Sequence, residues 1–288
     1  MRLTGFRYLR RQRILTLALI LVMASILFTI TAFSLLGFYR GFNAYVGEEE
    51  NIIAICDKQS RTPFTGLVPT YLAERISAMD GVLASSPEVV VPCYLKDEAI
   101  FLRGVVPKQF TELNQLNMLE GEVLELNDLN SMIVGKRLAE RLKLKTGDKA
   151  LILGIATDRY AEVQIRGIFE SHTAMDDEVL TPLYVGQWFR VDYAYVTLIR
   201  FKIDRSIISP AMIFEEVSKQ ASNPTQNGTE GQNPPEQSIT QIIPIEIRRF
   251  GIEKIGVEQA QNFMKSYLDA YGVTRESLFL LSIMVFSF

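Results

Sequence analysis

The chain has 288 residues, 48% of them hydrophobic and 22% charged, with a formal net charge of −3. The charge is unevenly placed. The first thirteen residues carry five arginines (Arg2, Arg7, Arg10, Arg11, Arg13) and no acid, which leaves 25 Lys and Arg against 33 Asp and Glu in the rest, a net of −8. So acidic a body argues against nucleic acid, whose phosphates need a basic face, and one histidine with two cysteines supplies no set of ligands at zinc spacing.

Residues 1–13 form a basic arm, and Ile14 to Phe38 follows without a charge. At about 1.5 Å per residue this run reaches roughly 38 Å, enough to cross a hydrocarbon core of about 30 Å with some tilt. A secretory signal also begins basic and turns apolar, but its apolar region is only about 7 to 15 residues long. Residues 14–38 are therefore read as a transmembrane helix with the basic arm in the cytoplasm and the following domain outside the plasma membrane. The arm serves as a topology signal, and Phe6 and Leu9 among its arginines equally suit membrane lipid of the anionic inner leaflet.

Asn51 to Asp57 reads as a strand apolar on both faces, hence buried. Val68, Leu72, Ile76 and Met79 then recur at helical spacing up to Asp80-Gly81, and the strands Glu88 to Leu95 and Glu98 to Val106 are joined by Lys96-Asp97. Cys56 and Cys93 fall in two of these strand-like runs. A disulfide between them and a pair of buried free thiols both fit an outer domain.

Leu113 to Leu129 is polar and loop-like. Met132 to Val134 is a short strand leading into a helix from Lys136 to Lys145, which Thr146-Gly147-Asp148 ends before a strand resumes at Lys149 to Ile155. From Ala161 to Phe169 the alternation puts Ala161, Val163, Ile165, Gly167 and Phe169 on one face and Glu162, Gln164 and Arg166 on the other. Tyr193 to Ile203 is another strand, and Ala211 to Lys219 a short helix behind Ser209-Pro210. About 221–238 is a polar, low-complexity loop in which Asn227-Gly228-Thr229 fits the glycosylation acceptor pattern.

Beyond Gly256, Val257, Ala260, Met264, Tyr267 and Tyr271 recur at spacings of three and four, which suggests a stalk helix over 256–277. Either it runs unbroken into the apolar segment 278–288, read as the start of a second transmembrane helix, or it stops at a turn around Gly272-Val273-Thr274. Met264, Tyr267 and Tyr271 are the candidate packing residues of the stalk.

Catalytic chemistry finds no footing in this sequence. No glycine-rich loop precedes a Lys-Ser or Lys-Thr pair, so the chain has no phosphate cradle of its own. The one histidine, His172, sits in the polar stretch Ser171-His172-Thr173, where an exposed loop residue suits it better than a catalytic base. Glu170, Asp176, Asp177 and Glu178 could gather near a calcium ion, but their spacing fits no EF-hand loop and a solvated acidic turn suits them better.

Leu119-Glu120-Gly121-Glu122, Met132-Ile133-Val134-Gly135, Leu138-Ala139, Leu144-Lys145-Thr146-Gly147-Asp148 and Val163 to Ile168 together resemble the extracytoplasmic core domain of MacB/FtsX-type ABC transporter permeases. The lead-in Arg7-Tyr8-Leu9-Arg10-Arg11-Gln12-Arg13 is similar too, the resemblance reaches to about Pro182, and beyond it, up to the second span, only the layout is similar. Members often have Gly-Arg where this chain has Gly121-Glu122, and Gly147 with Asp148 makes the family-like turn.

The resemblance implies a non-catalytic permease subunit with four spans and a large outer domain between the first and second, of which this chain would hold the first span, that domain and the beginning of the second. It implies a separate cytoplasmic P-loop ATPase subunit that binds ATP and Mg, with no cofactor in this chain, and a second permease copy, identical or related. ATP-driven movement of the helices would be passed to the outer domain for export, lipoprotein release or signalling. The alternative is a membrane-anchored extracytoplasmic binding or sensor protein. The expected fold is α+β, with an extracytoplasmic domain over 39–255 in two lobes: a strand, helix, hairpin lobe and a mostly β lobe from Met132 to Ile203.

Overall fold

In the computed structural model the residues described are 11–43, 51–57, 60, 62, 64–125, 127, 128, 130–222, 255–259, 265, 267–269 and 271–287. The chain divides into two units, one of Met1–Phe42 with Leu268–Phe288 and the other of Asn43–Tyr267.

In the first unit, helix α1 covers Arg11–Asn43, and its segment Arg13–Gly37 is long and apolar enough to cross a membrane. Thr29 and Thr31 do not interrupt it, because each hydroxyl donates to the carbonyl four residues back, of Ser25 and Leu27. The unit's other helix is Arg275–Ser287, the last of the chain and labelled α7 below; Phe279, Leu280, Leu281, Ile283 and Met284 are exposed on it. It starts at a reciprocal cap in which Thr274 Oγ1 accepts the Ser277 N–H and Ser277 Oγ accepts the Thr274 N–H. With Gly272 at φ +71°, the chain turns over 271–274. Of the two expectations for this region, the break at Gly272-Val273-Thr274 is the one found.

The second unit is built on one large sheet, with a separate two-stranded one beside it. Its elements are β1 (Ile52–Asp57), β2 (Val68–Pro69), α2 (Tyr71–Ser77), β3 (Val82–Leu95), β4 (Glu98–Val105), α3 (Pro107–Leu113), β5 (Asn117–Gly121), β6 (Ser131–Gly135) and α4 (Lys136–Leu142). They continue as β7 (Lys149–Gly154), β8 (Tyr160–Glu170), a 3-10 turn (Ala174–Asp177), β9 (Glu178–Pro182), α5 (Leu183–Trp188), β10 (Tyr195–Val196), β11 (Leu198–Ile203), α6 (Pro210–Ser222) and β12 (Ile255–Gln259). The fold is α+β.

Strand β3 organises the sheet. Its first half pairs with β11, its second half pairs with β4, and along the edge that β11 leaves free, Cys93–Leu95 pairs with β7. Because β4 joins β9, β9 joins β6, β6 joins β8 and β8 joins β7, the six strands β3, β4, β9, β6, β8 and β7 close a ring. Cross-strand register puts Val91, Leu102, Val179, Val134, Ile165 and Ile152 on its inner face, all buried. The small helices α4 and α5 add Leu138, Ala139, Val185 and Phe189 to the same core. Strands β12, β1 and β11 extend the sheet beyond β3, with Leu72 and Ile76 of α2 and Ile213 of α6 packed in the same apolar cluster. A smaller core lies on the outer face of the ring, where α3, the 3-10 turn and the β5 side bring Phe110, Met175 and Leu124 onto Val105, Ile133, Phe169 and Leu180.

Several expectations shift. The lobe boundary moves: β11 joins β1 rather than the strands after Met132, and the β3–β4 hairpin serves both lobes. The helix after β6 ends at Leu142, three residues early, because Lys143 takes the left-handed conformation at φ +52°, and Gly147 belongs to the next turn. The polar segment after Leu113 contains β5, whose backbone pairs with β8 and whose side chains are exposed apart from Met118, which packs on the outer core. The acidic stretch ends in strand β9, and residues 256–259, assigned to the stalk helix, belong to strand β12, antiparallel to β1 with Gln259 opposite Ile53. Strand β8 does not keep one inner face. A register shift between Met132 and Ile133 against it leaves Val163 and Ile165 inside the ring and sends Phe169 to the outer core.

Candidate functional site

The acidic residues near His172 each have a protein partner of their own. Glu170 accepts from Lys136 Nζ at 2.8 Å, and Asp177 from Arg137 Nε at 2.7 Å and Arg141 Nη1 at 2.8 Å. Asp176, 3% exposed, accepts the N–H groups of Ser171 and His172 at 2.6 and 3.1 Å and the Ser171 hydroxyl at 2.7 Å. Burial opposes ionisation of Asp177, but the bonds from Arg137 and Arg141 outweigh it and hold the carboxyl below its ordinary value. The Lys136 bond, stronger than the small desolvation, does the same for Glu170. Among the described residues no three His, Cys, Asp or Glu side chains are grouped to hold a metal ion. His172 has φ +58° and an exposed side chain, with Glu170 as its carboxylate neighbour at 3.7 Å, so no nucleophile and base pair is assembled there.

Cys56 and Cys93 are buried thiols that are not joined by a disulfide. They lie on β1 and β3 with β11 between them, so two strand spacings of about 4.8 Å separate them before any offset along the strands. That exceeds the reach of a disulfide, about 7 Å between Cα atoms. Burial pushes the Cys93 thiol up to about 12.

The most heavily desolvated charges in the described chain escaped the sequence reading. On the outer face of the sheet, Arg103 of β4 donates through Nη1 to Glu88 Oε2 of β3 at 2.5 Å and through Nε to Glu178 Oε2 of β9 at 2.8 Å, with a second bond from Nη2 to Glu178 Oε1 at 3.3 Å. Arg200 of β11 donates through Nε to Glu88 Oε1 at 2.5 Å and through Nη1 to Asn114 Oδ1 at 3.1 Å. Its guanidinium carbon stands 5.4 Å from the centre of the Phe110 ring. The four charged residues are 0 to 2% exposed and balance one another. A signal for them was present: a single charge in each of the otherwise apolar runs Glu88 to Leu95, Ile100 to Val106, Val179 to Thr181 with its leading Glu178, and Leu198 to Phe201 with Arg200.

The segments that carry the family resemblance fold into one contiguous piece, β5, β6, α4, the following turn and β8. In that turn Gly147 has φ +92° and donates to the Ile165 carbonyl at 2.7 Å, and Asp148 Oδ2 accepts the Lys145 N–H at 3.0 Å. Gly121 has φ +73° and lies so near β8 that a β-carbon would stand 2.0 Å from the Arg166 carbonyl oxygen. Glu122 is 2.8 Å from Arg166 Nη2, and Asp128 Oδ1 is 2.5 Å from Arg166 Nη1. Beside this piece, Leu119, Leu144, Ile168, Lys143 and Lys145 line an open groove of about 670 Å³.

Of the candidate stalk residues, Tyr267 donates its hydroxyl to the Asp57 carbonyl at 3.1 Å, at the end of β1. Tyr271 is 67% exposed, Met264 lies outside the described residues, and so does Asn227.

No family model matches the chain, and no curated protein matches it. Several solved structures are similar to it, among them the following three. One is the periplasmic region of MacB from Actinobacillus actinomycetemcomitans, 10% identical over 81% of this chain and 97% of that one, with a TM-score of 0.48. The extracellular domain of the noncanonic ABC-type transporter YknZ from Gram-positive bacteria is 17% identical over 54% of this chain and 85% of its own, with a TM-score of 0.44. A domain assigned to a permease protein from Porphyromonas gingivalis is 14% identical over 68% of this chain and 97% of its own, with a TM-score of 0.42.

Proposed function

We propose that this chain is the membrane subunit of an ABC transporter of the MacB/FtsX type, a non-catalytic permease that passes movement from a cytoplasmic ATPase to its outer domain. The observation that carries the reading is that the five scattered segments with the family resemblance come together as one folded piece, from β5 through β8, behind an amino-terminal apolar helix with a basic lead-in. On this reading the basic arm stays in the cytoplasm, the sheet-rich unit lies outside the plasma membrane, and a second permease copy and a P-loop ATPase complete the assembly. ATP and Mg belong to that ATPase.

The mechanical logic follows from the fold. A force-bearing domain needs a stiff body and a defined attachment. The closed ring, which leaves none of its six strands with a free edge along its paired length, supplies the stiffness. Strand β1, which receives the chain from the first unit, is held on both sides, by β11 and β12. Tyr267, bonded to the end of β1, together with Met264 and Tyr271 is the proposed stalk contact.

Affinity purification of the protein expressed from its complete reading frame in its own cells, in mild detergent, tests the proposal. Co-purification of a P-loop ATPase whose hydrolysis rate changes when this protein is present supports it. A protein that purifies without an ATPase, from a frame with no further spans, overturns it in favour of an anchored binding protein. Charged substitutions at Met264, Tyr267 and Tyr271 that left assembly and ATP-coupled activity intact would remove the stalk assignment alone.

A further inference from the structure

The ring and the β12–β1–β11 extension are joined by the backbone pairing of β11 with β3, and the buried charges form a second joint across the same seam. Arg200 stands on β11, outside the ring. Glu88 stands on β3 at the seam, where its Cα partner on β11 is Leu198 and its partner on β4 is Val105. Arg103 and Glu178 stand on β4 and β9, within the ring. Cross-strand register puts all four on one face, so the charges alternate along a line that runs from the extension into the ring: Arg200, Glu88, Arg103, Glu178. The Arg200 side chain also holds Asn114, just past the end of α3, which ties the helix over the seam to the extension.

We infer that this chain of charges is a conformational coupling device that makes the extension and the ring open and move as one body. A low-polarity interior makes each ionic link intolerant of separation, because parting the strands leaves a charge without its partner or requires water to enter. Sliding β11 along β3 by one residue would also turn Arg200 to the opposite face and strand it. The apolar contacts across the seam have no such all-or-none character, since hydrophobic attraction is non-directional. The inference rests on the geometry of this unit and stands apart from the proposed transport role.

The two cysteines report on the two sides. Cys56 lies on β1 in the extension and Cys93 on β3 within the ring, and both are buried. Pulsed alkylation of the full chain in detergent across a urea series, read by peptide mass spectrometry, gives an opening midpoint for each. In the unaltered protein the two midpoints coincide. The pair Glu88→Gln with Arg200→Met removes one positive and one negative charge at the seam and leaves the Arg103–Glu178 pair intact. It should expose Cys56 at a urea concentration lower than Cys93 by about 1 M. The control pair Arg103→Met with Glu178→Gln removes the same charges inside the ring, leaves Glu88 with Arg200, and should keep the midpoints together.

Coincident midpoints in the seam variant overturn the inference, as does an equal separation in the control or a separation in the unaltered protein. Should the seam variant label at both cysteines without urea, Arg200→Lys replaces it. That change keeps the positive charge but removes the fork that reaches Glu88 and Asn114 together. Separated midpoints there support the inference, and coincident ones overturn it.

Discussion

Gly104 of β4 and Gly186 of α5 meet backbone to backbone: a β-carbon on either residue would stand 2.8 Å from the other's Cα. This contact seats α5 on β4, and with it Val185 and Phe189 in the main core. Gly104→Ala or Gly186→Ala should each cost about 1–3 kcal/mol by forcing helix and strand apart. The single tryptophan, Trp188 at the end of α5, donates to the Tyr160 carbonyl at 3.2 Å and reports the displacement. Either variant should shift its fluorescence and lower the urea midpoint.

Two glycines with positive φ should respond very differently to alanine. Gly147 has no atom within 4 Å of its would-be β-carbon, so Gly147→Ala bears only the left-handed backbone cost of about 1–2 kcal/mol. Gly121 adds the collision with the Arg166 carbonyl, and Gly121→Ala should lose at least about 3 kcal/mol or detach β5 from β8. Hydrogen exchange over residues 117–121 separates the two outcomes, since detachment raises exchange there without moving the global midpoint.

Arg103 is the member of the buried network with carboxylates on both sides, so Arg103→Met alone takes an ionic partner from both Glu88 and Glu178. A loss of about 3–5 kcal/mol is expected, with much of it restored by adding Glu178→Gln, which returns the network to charge balance. Urea unfolding of the single and paired variants measures the difference, and equal losses in both would refute the account.

Acid should weaken the α4 side of the ring. Arg137 and Arg141 hold Asp177 below its ordinary value despite burial, so the folded form binds its proton less readily than the unfolded chain. Such a group contributes stability that is present above the unfolded value of about 3.9 and is lost as pH falls through the folded one. Glu170, held down by Lys136, adds in the same direction. Asp177→Asn should flatten the acid limb of a stability profile measured from pH 6 to pH 3.

Alkali acts on the other end of the scale. The Cys93 thiol, pushed up to about 12 by burial, stays protonated in the folded protein at pH values where an unfolded cysteine, near 8.5, is ionised. The stability this gives is fully present below the unfolded value and is lost as pH rises toward the folded one. Native Cys93 should therefore resist iodoacetamide at pH 8.5, and Cys93→Ser should remove part of the decline in stability above pH 9. A reductant should leave the melting temperature unchanged, because neither thiol is bridged.

What the sequence determined by itself is what short-range patterns encode. Uncharged length after an arginine-rich arm identified the apolar helix, and alternation or apolar continuity placed β1, the second half of β3, β4, β6, β7 and most of β8. Proline at the start and helical spacing placed α6 and α2. Local chemistry likewise forecast the Thr146-Gly147-Asp148 turn, although the helix before it stops earlier. Strands whose evidence lies in a neighbour were not legible: β5 pairs by backbone with all its side chains but Met118 exposed, and β9 begins on the last of three consecutive acids that look solvated until Arg103, Arg137 and Arg141 arrive from distant segments. Only the tertiary structure decided that β3 changes partner from β11 to β7, so that six strands close on themselves. It alone also brought Glu88, Arg103, Glu178 and Arg200 together from positions up to 112 residues apart. A lone charge in an apolar run shows that a partner is needed, but which residue supplies it is settled by strand register, a relation between segments that no local pattern contains.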